Sequence, residues 1–423
     1  MATAPDLAEL FPTVDIPPAD PAFMKATPAH VPDSLITPYP FVLGAKTKQR
    51  PHSFIPPLHD GPGLFWAERA VNGVEGAWIP RKVPILHQIY NDNINFASRG
   101  NAPFAQLIGE TWYSVPSEAD PPVHQLVRAM VNPAFTPKRM AALEGKIRDY
   151  ARDYIRQFRD KGRCEFMADF AFEFPIKVFL ELMGLPQERV GEFLAWEHKL
   201  LHEPDLNEVT TGTRAVVAYL REEIESRRAN PRDDLISFGL SLDKDGRKFS
   251  DDEMVGFCFN LFIGGLDTVS TNMAWQFLHL AENHEHQATL RANPEMLPAA
   301  IDELMRVYAA VVTGRECVNE TELAGVKMMP GDKVLLPTYL AGLDPETYED
   351  AGKVILDRAP RHVSFGYGPH ICIGMHLARR EMRIALEEFL AEIPEFSLAP
   401  DADITYYLAA IIQPITLPLV WKA

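Results

Sequence analysis

Apolar residues recur at three- and four-residue spacing from about Pro137 to Leu185, through Ile147, Tyr150, Tyr154, Ile155 and Phe158, which is the period of amphipathic helices. The same period predicts helices over about Thr210 to Arg228, Asp251 to Glu285, Met296 to Ala309 and Gly374 to Ile393, the last stopped by Pro394. Between the last two the pattern shortens. Segments such as Lys333 to Pro337 follow turn signals like Pro330-Gly331-Asp332 and predict small β-hairpins. The expected architecture is mainly α with small β-sheets. The stretch from Pro5 to Pro62 is dense in proline and has no sustained helical period, so it reads as a wrapped N-terminal arm over about residues 1–60. Nothing after the arm reads as a linker, and residues 1–423 are expected to fold as a single domain.

Composition narrows the class. The chain is 47% hydrophobic, enough to build a large core without disulfides. A net charge of -17 argues against sequence-independent binding to nucleic acid, while leaving room for one basic face toward an acidic partner. The four cysteines, Cys164, Cys258, Cys317 and Cys372, show no C-x-x-C spacing, so neither a zinc site nor an iron–sulfur cluster is encoded, and any electron source is expected elsewhere. Residues Met1 to Asp6 lack the basic start and apolar run of a signal peptide. No stretch reaches roughly 18 uninterrupted apolar residues, so a cytoplasmic protein with no membrane contact, working as a monomer, is expected.

The strongest chemical signal is the segment Phe365-Gly-Tyr-Gly-Pro-His-Ile-Cys-Ile-Gly-Met-His, a glycine-rich loop carrying one cysteine and running into a helix. Gly366, Gly368 and Gly374 can take dihedrals closed to other residues and let the backbone approach a flat ligand, with amide N–H groups aimed at the sulfur. A helix starting just after Cys372 places partial positive charge near that sulfur and is expected to lower its pKa, favouring the thiolate that binds iron. The other three cysteines read as core residues.

With Phe365, Gly368, Cys372 and Gly374 on the pattern F-x-x-G-x-x-x-C-x-G, the sequence resembles the cytochrome P-450 superfamily. It is most similar to the bacterial camphor-hydroxylase branch in Gly264-Gly265-Leu266-Asp267-Thr268 and Leu377-Ala378-Arg379-Arg380-Glu381. The resemblance runs over nearly the whole chain after residue 60. It implies the triangular helical haem-thiolate fold, haem b ligated by Cys372, and a monooxygenase activity.

Upstream, Asn260-Leu-Phe-Ile-Gly-Gly-Leu-Asp-Thr lies mid-helix. Two interior glycines cost roughly 1–2 kcal/mol relative to alanine, so something should offset them. Bare Gly264 and Gly265 open a groove, and the Thr268 hydroxyl can bond the Gly264 carbonyl, loosening the ladder where dioxygen and water need room. Reductive activation of dioxygen consumes protons, and a hydroxyl backed by a carboxylate can relay them. By resemblance, Asp267 brings protons in and Thr268 steadies oxygen and its water. In the camphor-hydroxylating relative an arginine before a Pro-Asp pair grips this aspartate. Here Glu203 stands at that place, before Pro204-Asp205, leaving Lys199 or His202 as substitutes.

The family's E-x-x-R corresponds to Glu303 and Arg306, with Arg358 as third member of a carboxylate–arginine network that fixes the cysteine loop. His124 and Arg128 match the family's H-x-x-x-R on one helix face, and Arg315 and His370 match further propionate anchors, with Thr313 replacing an aspartate two residues before the arginine. The remaining histidines, His284 and His286 included, read as surface residues.

Lacking flavin, nucleotide and cluster motifs, the chain is expected to take electrons from a separate iron–sulfur ferredoxin fed by an NADH-dependent flavin reductase. A peroxide-driven peroxygenase is the weaker alternative, because Asp267-Thr268 stands where such enzymes typically carry an arginine. A non-enzymatic haem sensor would have no use for a proton relay. Arg128, Lys138, Arg139, Arg379 and Arg380 suggest a basic ferredoxin-docking patch. For substrate, Trp112 replaces the tyrosine that holds the camphor carbonyl in the relative, with its indole N–H as possible ketone donor. Asn260 adds a second polar guide, and Phe104, Ile263, Val311 and Ile411 complete an apolar wall. A terpenoid-sized ketone or alcohol is the expected substrate, with camphor a poor one.

Overall fold

The computed structural model describes residues 7–19, 21–203, 205–408 and 411–422. Pro204 and the N-terminal residues Met1 to Asp6, both used in the sequence reading, lie outside the described residues. Among the described residues, nine helices frame the site: α1 (Val123–Val131), α2 (Glu144–Phe158), α3 (Glu173–Met183), α4 (Val190–Leu201), α5 (Leu206–Ala229), α6 (Asp251–Gly265), α7 (Asp267–Glu282), α8 (Leu297–Val307) and α9 (Met375–Glu392). The arm folds as short turns and two-residue strands after one helical turn at Leu7–Leu10.

The start of α6 is written locally: Ser250 Oγ accepts from the Glu253 amide at 3.2 Å and Glu253 Oε2 from the Ser250 amide at 2.9 Å, a closed capping box. The long helix expected over Asp251 to Glu285 is two segments. It breaks at Leu266, directly after the glycine pair, and ends at Glu282. Nearly every residue of α7 is buried, as for a helix through the middle of a core. Asp251–Glu282 is apolar and long enough to cross a membrane by composition, and 72% of its most apolar window is buried inside the protein.

Strands β1 (Leu64–Val71), β2 (Glu75–Pro80), β3 (Phe96–Ala97), β4 (Val312–Cys317) and β5 (Lys333–Pro337) form one five-stranded sheet in the order β1-β2-β5-β4-β3. The strand expected at Lys333–Pro337 is β5, antiparallel to β4 from Lys333 opposite Glu316 to Pro337 opposite Val312, and the small hairpin of this region is Thr321–Leu323 with Val326–Met328, between the two in the chain. Its partner β2, parallel at Val334 and Trp78, comes from a distant part of the chain. A second sheet joins β6 (Tyr406–Leu408) and β7 (Ile412–Pro414) to strands of the arm. The principal hydrophobic cluster runs through the helices, and a smaller one lies around Trp66, Trp78 and Leu336 of the five-stranded sheet.

Candidate active site

Two segments carry the candidate chemistry, the α6–α7 junction and the cysteine loop before α9, and the helices that follow them, α7 and α9, pack against each other. At the junction Thr268 Oγ1 donates to the Gly264 carbonyl at 2.9 Å, so the hydroxyl takes up an acceptor at the place where the helix breaks. A Cβ on Gly264 would meet nothing within 4 Å, whereas one on Gly265 would press on the Phe179 ring at 3.3 Å. The expected groove is therefore made at Gly264 alone, and Gly265 is small to let α3 approach.

Asp267 is 1% exposed. Its Oδ1 accepts from Gln413 Nε2 at 2.7 Å, and its Oδ2 lies 3.4 Å from His202 Nε2. Of the two substitutes for the missing arginine, His202 is the one present. Lys199 instead pairs with Glu208 at 2.6 Å, and Glu203 accepts from the Asp205 amide at 3.2 Å. Glu197, on the buried stripe Val190, Phe193, Glu197 and Leu200 of α4, also reaches His202 Nε2, at 3.2 Å. Sequence reasoning missed Glu197 and Gln413. A carboxylate at helical spacing between Phe193 and Leu200 was the available signal for the first.

In the cysteine loop Gly366 and Gly368 have φ of +72° and +67°, and a Cβ on Gly368 would strike Asn91 Oδ1 at 2.5 Å. Gly374 departs from expectation. Its φ is -82°, open to any residue, and a Cβ there would sit 3.9 Å from Cys372 Sγ. The Cys372 amide donates to the Phe365 carbonyl at 2.8 Å, closing the loop. Cys164, Cys258 and Cys317 are buried and Cys372 is exposed. Although exposed by surface area, Cys372 is ringed by protein, and this desolvation pushes its thiol up against the opposing pull of the Gly374 amide, Arg128, Arg379 and the Met375 amide. The helix-terminus effect acts in the expected direction but burial outweighs it, and a metal bound at Cys372 would supply the further pull toward the thiolate.

Around the loop stand the four residues expected to hold propionates. The His124 and His370 rings lie 4.0 Å apart, and Ser98 Oγ is 3.3 Å from His370 Nε2. Burial, with His124, Arg315 and Arg128 nearby, pushes His370 down to about 3, so its imidazole is neutral. Arg128 donates to the Ile371 carbonyl at 2.6 Å and to Asn132 at 2.9 Å. Thr313 bonds the Tyr90 hydroxyl at 2.8 Å, and the Arg315 guanidinium lies over the Tyr90 ring. Both His124 ring nitrogens, His370 Nδ1 and Arg315 Nε are buried without hydrogen-bond partners. Buried donors left unsatisfied in one cluster are what an anionic group would satisfy.

This folded context matches known proteins. The cytochrome P-450 family model covers residues 41–405. The chain belongs to the cytochrome P-450 family. It is 34% identical over 378 residues to the probable cytochrome P-450 127A1 of Sinorhizobium fredii, covering 88% of this chain and 91% of that one. It is 31% identical to a steroid C26-monooxygenase of Mycobacterium tuberculosis over 67% of this chain and 79% of the other. Among solved structures, CYP101C1 superposes with a TM-score of 0.83 at 33% identity, over 94% of this chain and all of that one. CYP101J2 gives the same score at 29% identity, over 95% of this chain and 100% of that one. The protein is thus an oxidoreductase with haem whose iron is bound by a cysteine, and the unsatisfied donors at His124, His370 and Arg315 fit the two carboxylates that haem carries.

The framework of this cytochrome P-450 is buried. Glu303 accepts from Arg306 at 2.7 and 2.8 Å, from Arg358 Nε at 3.0 Å and from the Ile355 amide at 3.0 Å. Other expectations change. Trp112 Nε1 donates to Glu110 Oε2 at 2.7 Å, and Glu110 is gripped by both Arg221 amino groups from α5, so the indole N–H is not free for a ketone. The Trp112 ring packs on Phe259, as does Phe104. Asn260 Oδ1 accepts from Ser117, leaving its amide nitrogen as donor. Val311 and Ile411 pair across an antiparallel bridge, and Ile263 is half-buried on α6. In the basic patch Arg379 pairs with Asp302 at 2.7 Å and Arg380 with Glu144, so both charges are compensated. The histidines read as surface residues include buried His52, His59 and His279, each inside an aromatic or backbone pocket that desolvates it.

Proposed function

We propose that this cytochrome P-450 hydroxylates an unactivated carbon of a terpenoid-sized ketone or alcohol, as a cytoplasmic monomer that takes electrons from a separate iron–sulfur ferredoxin served by an NADH-dependent flavin reductase. The observation that carries the reading is the α6–α7 junction, where Gly264 leaves room, Thr268 holds the Gly264 carbonyl and Asp267 is buried beside it. Haem, when bound, supplies the reductive activation of dioxygen. One oxygen atom enters the substrate and the other leaves as water, so two protons must reach the site with two electrons. Asp267 delivers them and Thr268 orients the water that accepts them.

Cys372 supplies the thiolate, and Phe365, Gly366 and Gly374 shape its loop. Arg128, Arg315, His124 and neutral His370 hold the propionates. The cysteine spacing, with no C-x-x-C pair among the four, supports a separate electron donor. Lys138 and Arg139 remain to steer an acidic ferredoxin, an effect on encounter rate more than on affinity. Burial of Asp251–Glu282 inside the protein supports reading this apolar stretch as a core helix rather than a membrane span. Among relatives, the names mycinamicin IV hydroxylase/epoxidase and steroid C26-monooxygenase agree with oxygen insertion.

Phe104, Trp112, Ile263, Val311 and Ile411 form the apolar wall, and the Asn260 amide is the polar guide for a substrate oxygen. Titrating a terpenoid panel while following the low-spin to high-spin haem shift tests the reading. Ketones and alcohols should bind more tightly than the matching hydrocarbons, with camphor weak. Asn260→Leu should cost ketones roughly tenfold in affinity, about one hydrogen bond, whereas Trp112→Phe should be unselective. Tight camphor binding, or an Asn260→Leu enzyme indifferent to the carbonyl, refutes the substrate reading.

A further inference from the structure

Asp267 is one corner of a buried triad. Its Oδ2 and Glu197 Oε1 both face the same atom, His202 Nε2, at 3.4 and 3.2 Å. Glu197 is 4% exposed, and the His202 side chain keeps 11% of its surface in solvent. Two carboxylates in a dry site repel, and one proton between them relieves it. The groups around the triad are few. The His198 ring stacks at 5.7 Å on one side of His202 and Tyr407 at 5.5 Å, with Lys46 Nζ 5.1 Å above the Tyr407 ring. Gln413 supports Asp267 Oδ1, Lys199 is held by Glu208, and Glu203 is turned to the Asp205 amide. The cluster has metal-ligand types, but a charged imidazole already supplies its positive centre.

We infer that Glu197 and His202 form the proton supply of Asp267, with His202 as carrier and Glu197 as the reservoir acting through it. This rests on the reading of Asp267 as the acid that feeds the site. In the step, His202 Nε2–H passes its proton to Asp267 Oδ2. The now neutral imidazole takes a proton from Glu197 Oε1 at the same nitrogen, and the Glu197 carboxylate is reprotonated from water at the exposed edge of His202. One proton moves from solvent to Asp267; His202 and Glu197 return to their starting states, and Asp267 returns to its carboxylate when it hands the proton on.

The electrostatics agree. Burial and the charge of Asp267 push Glu197 up to about 7. Against the downward pull of burial, the facing carboxylates of Asp267 and Glu197 lift His202 to about 11. Near neutrality the imidazole is therefore charged while Glu197 is poised between its two forms. The sign follows: Glu197 can reload His202 below about pH 7 and loses that ability as pH rises through it.

The test uses haem-loaded enzyme with histidines labelled for NMR, in wild type, Glu197→Gln, Glu197→Asp and Asp267→Asn. In wild type the His202 resonance should stay that of an imidazolium through pH 8 and show a secondary inflection near pH 7 from Glu197, absent in Glu197→Gln. Coupled turnover in wild type should fall as pH rises past 7. Glu197→Gln should be slower on the order of tenfold, less than the ~10²–10⁴ of a direct proton donor, with that inflection gone, and Glu197→Asp should restore it in part. A wild-type His202 resonance without the inflection overturns the inference even if a variant folds poorly, and so does a Glu197→Gln enzyme with the wild-type pH profile. If Asp267→Asn is slow and Glu197→Gln is normal, only the supply chain fails. If Asp267→Asn is itself normal, the reading of Asp267 fails with it.

Discussion

Replacing Glu303 by glutamine changes one atom in a carboxylate that organises the approach to the cysteine loop. Glu303 and Arg306 side chains are both fully buried, and Glu303 receives four hydrogen bonds, two from Arg306 and one each from Arg358 and the Ile355 amide. Arg306 spends its remaining donors on the carbonyls of Gly342, Ala351 and Lys353, so the pair clamps the chain from 342 to 358 onto α8. Gly342 admits no side chain there, since a Cβ would lie 2.1 Å from the Arg306 carbonyl oxygen. Ser364 Oγ ties the loop itself to the Met305 carbonyl of the same helix at 2.7 Å. Glu303→Gln leaves the Arg306 guanidinium charged, buried and uncompensated, which costs about 3–5 kcal/mol. Against a total stability of about 5–15 kcal/mol, that is a fifth or more. Arg358→Lys should cost less, about 1–2 kcal/mol, because Arg358 is partly exposed and gives Glu303 a single bond. Urea denaturation followed in parallel by circular dichroism and the thiolate Soret band of the carbon monoxide complex reads both quantities. The Soret band should fail before the helical signal in Glu303→Gln, because the loop is released first. A Glu303→Gln protein within about 1 kcal/mol of wild type, or one whose two probes stay coincident, refutes the clamp.

Two further outcomes are expected. Thr268→Ala loses the hydroxyl bonded to the Gly264 carbonyl and should keep consuming NADH in a reconstituted system while releasing hydrogen peroxide in place of product; a fully coupled variant sinks the relay. Burial pushes His52, packed edge-on to Trp275, down to about 3 from about 6.5 when unfolded, so the unfolded chain binds the extra proton between those values. Its stabilising effect is present above pH 6.5 and lost toward pH 3 at about 1.4 kcal/mol per pH unit. His52→Phe should therefore gain on wild type in urea midpoints between pH 7 and 4.5, and a constant difference refutes a neutral buried His52.

What the sequence determined by itself is what local spacing encodes. The 3.6-residue period placed α5, α8 and α9 within a few residues, because an amphipathic stripe must bury its own apolar side whatever it packs against. The cysteine loop and the glycine pair were legible because their residues are neighbours in the chain and the fold keeps them so. Tertiary structure decided everything that depends on a partner far along the chain. Arg221, 111 residues from Glu110, fixes the carboxylate that takes the Trp112 N–H, and no property of Trp112 announces it. Phe179 on α3 gives Gly265 its reason, and the choice of His202 over Lys199 at Asp267 depends on how α4 lies across the α6–α7 junction. Helix formation is a short-range balance of spacing and burial, whereas a hydrogen bond in a dry site exists only where packing has brought donor and acceptor within about 3 Å, a condition set by the whole chain at once.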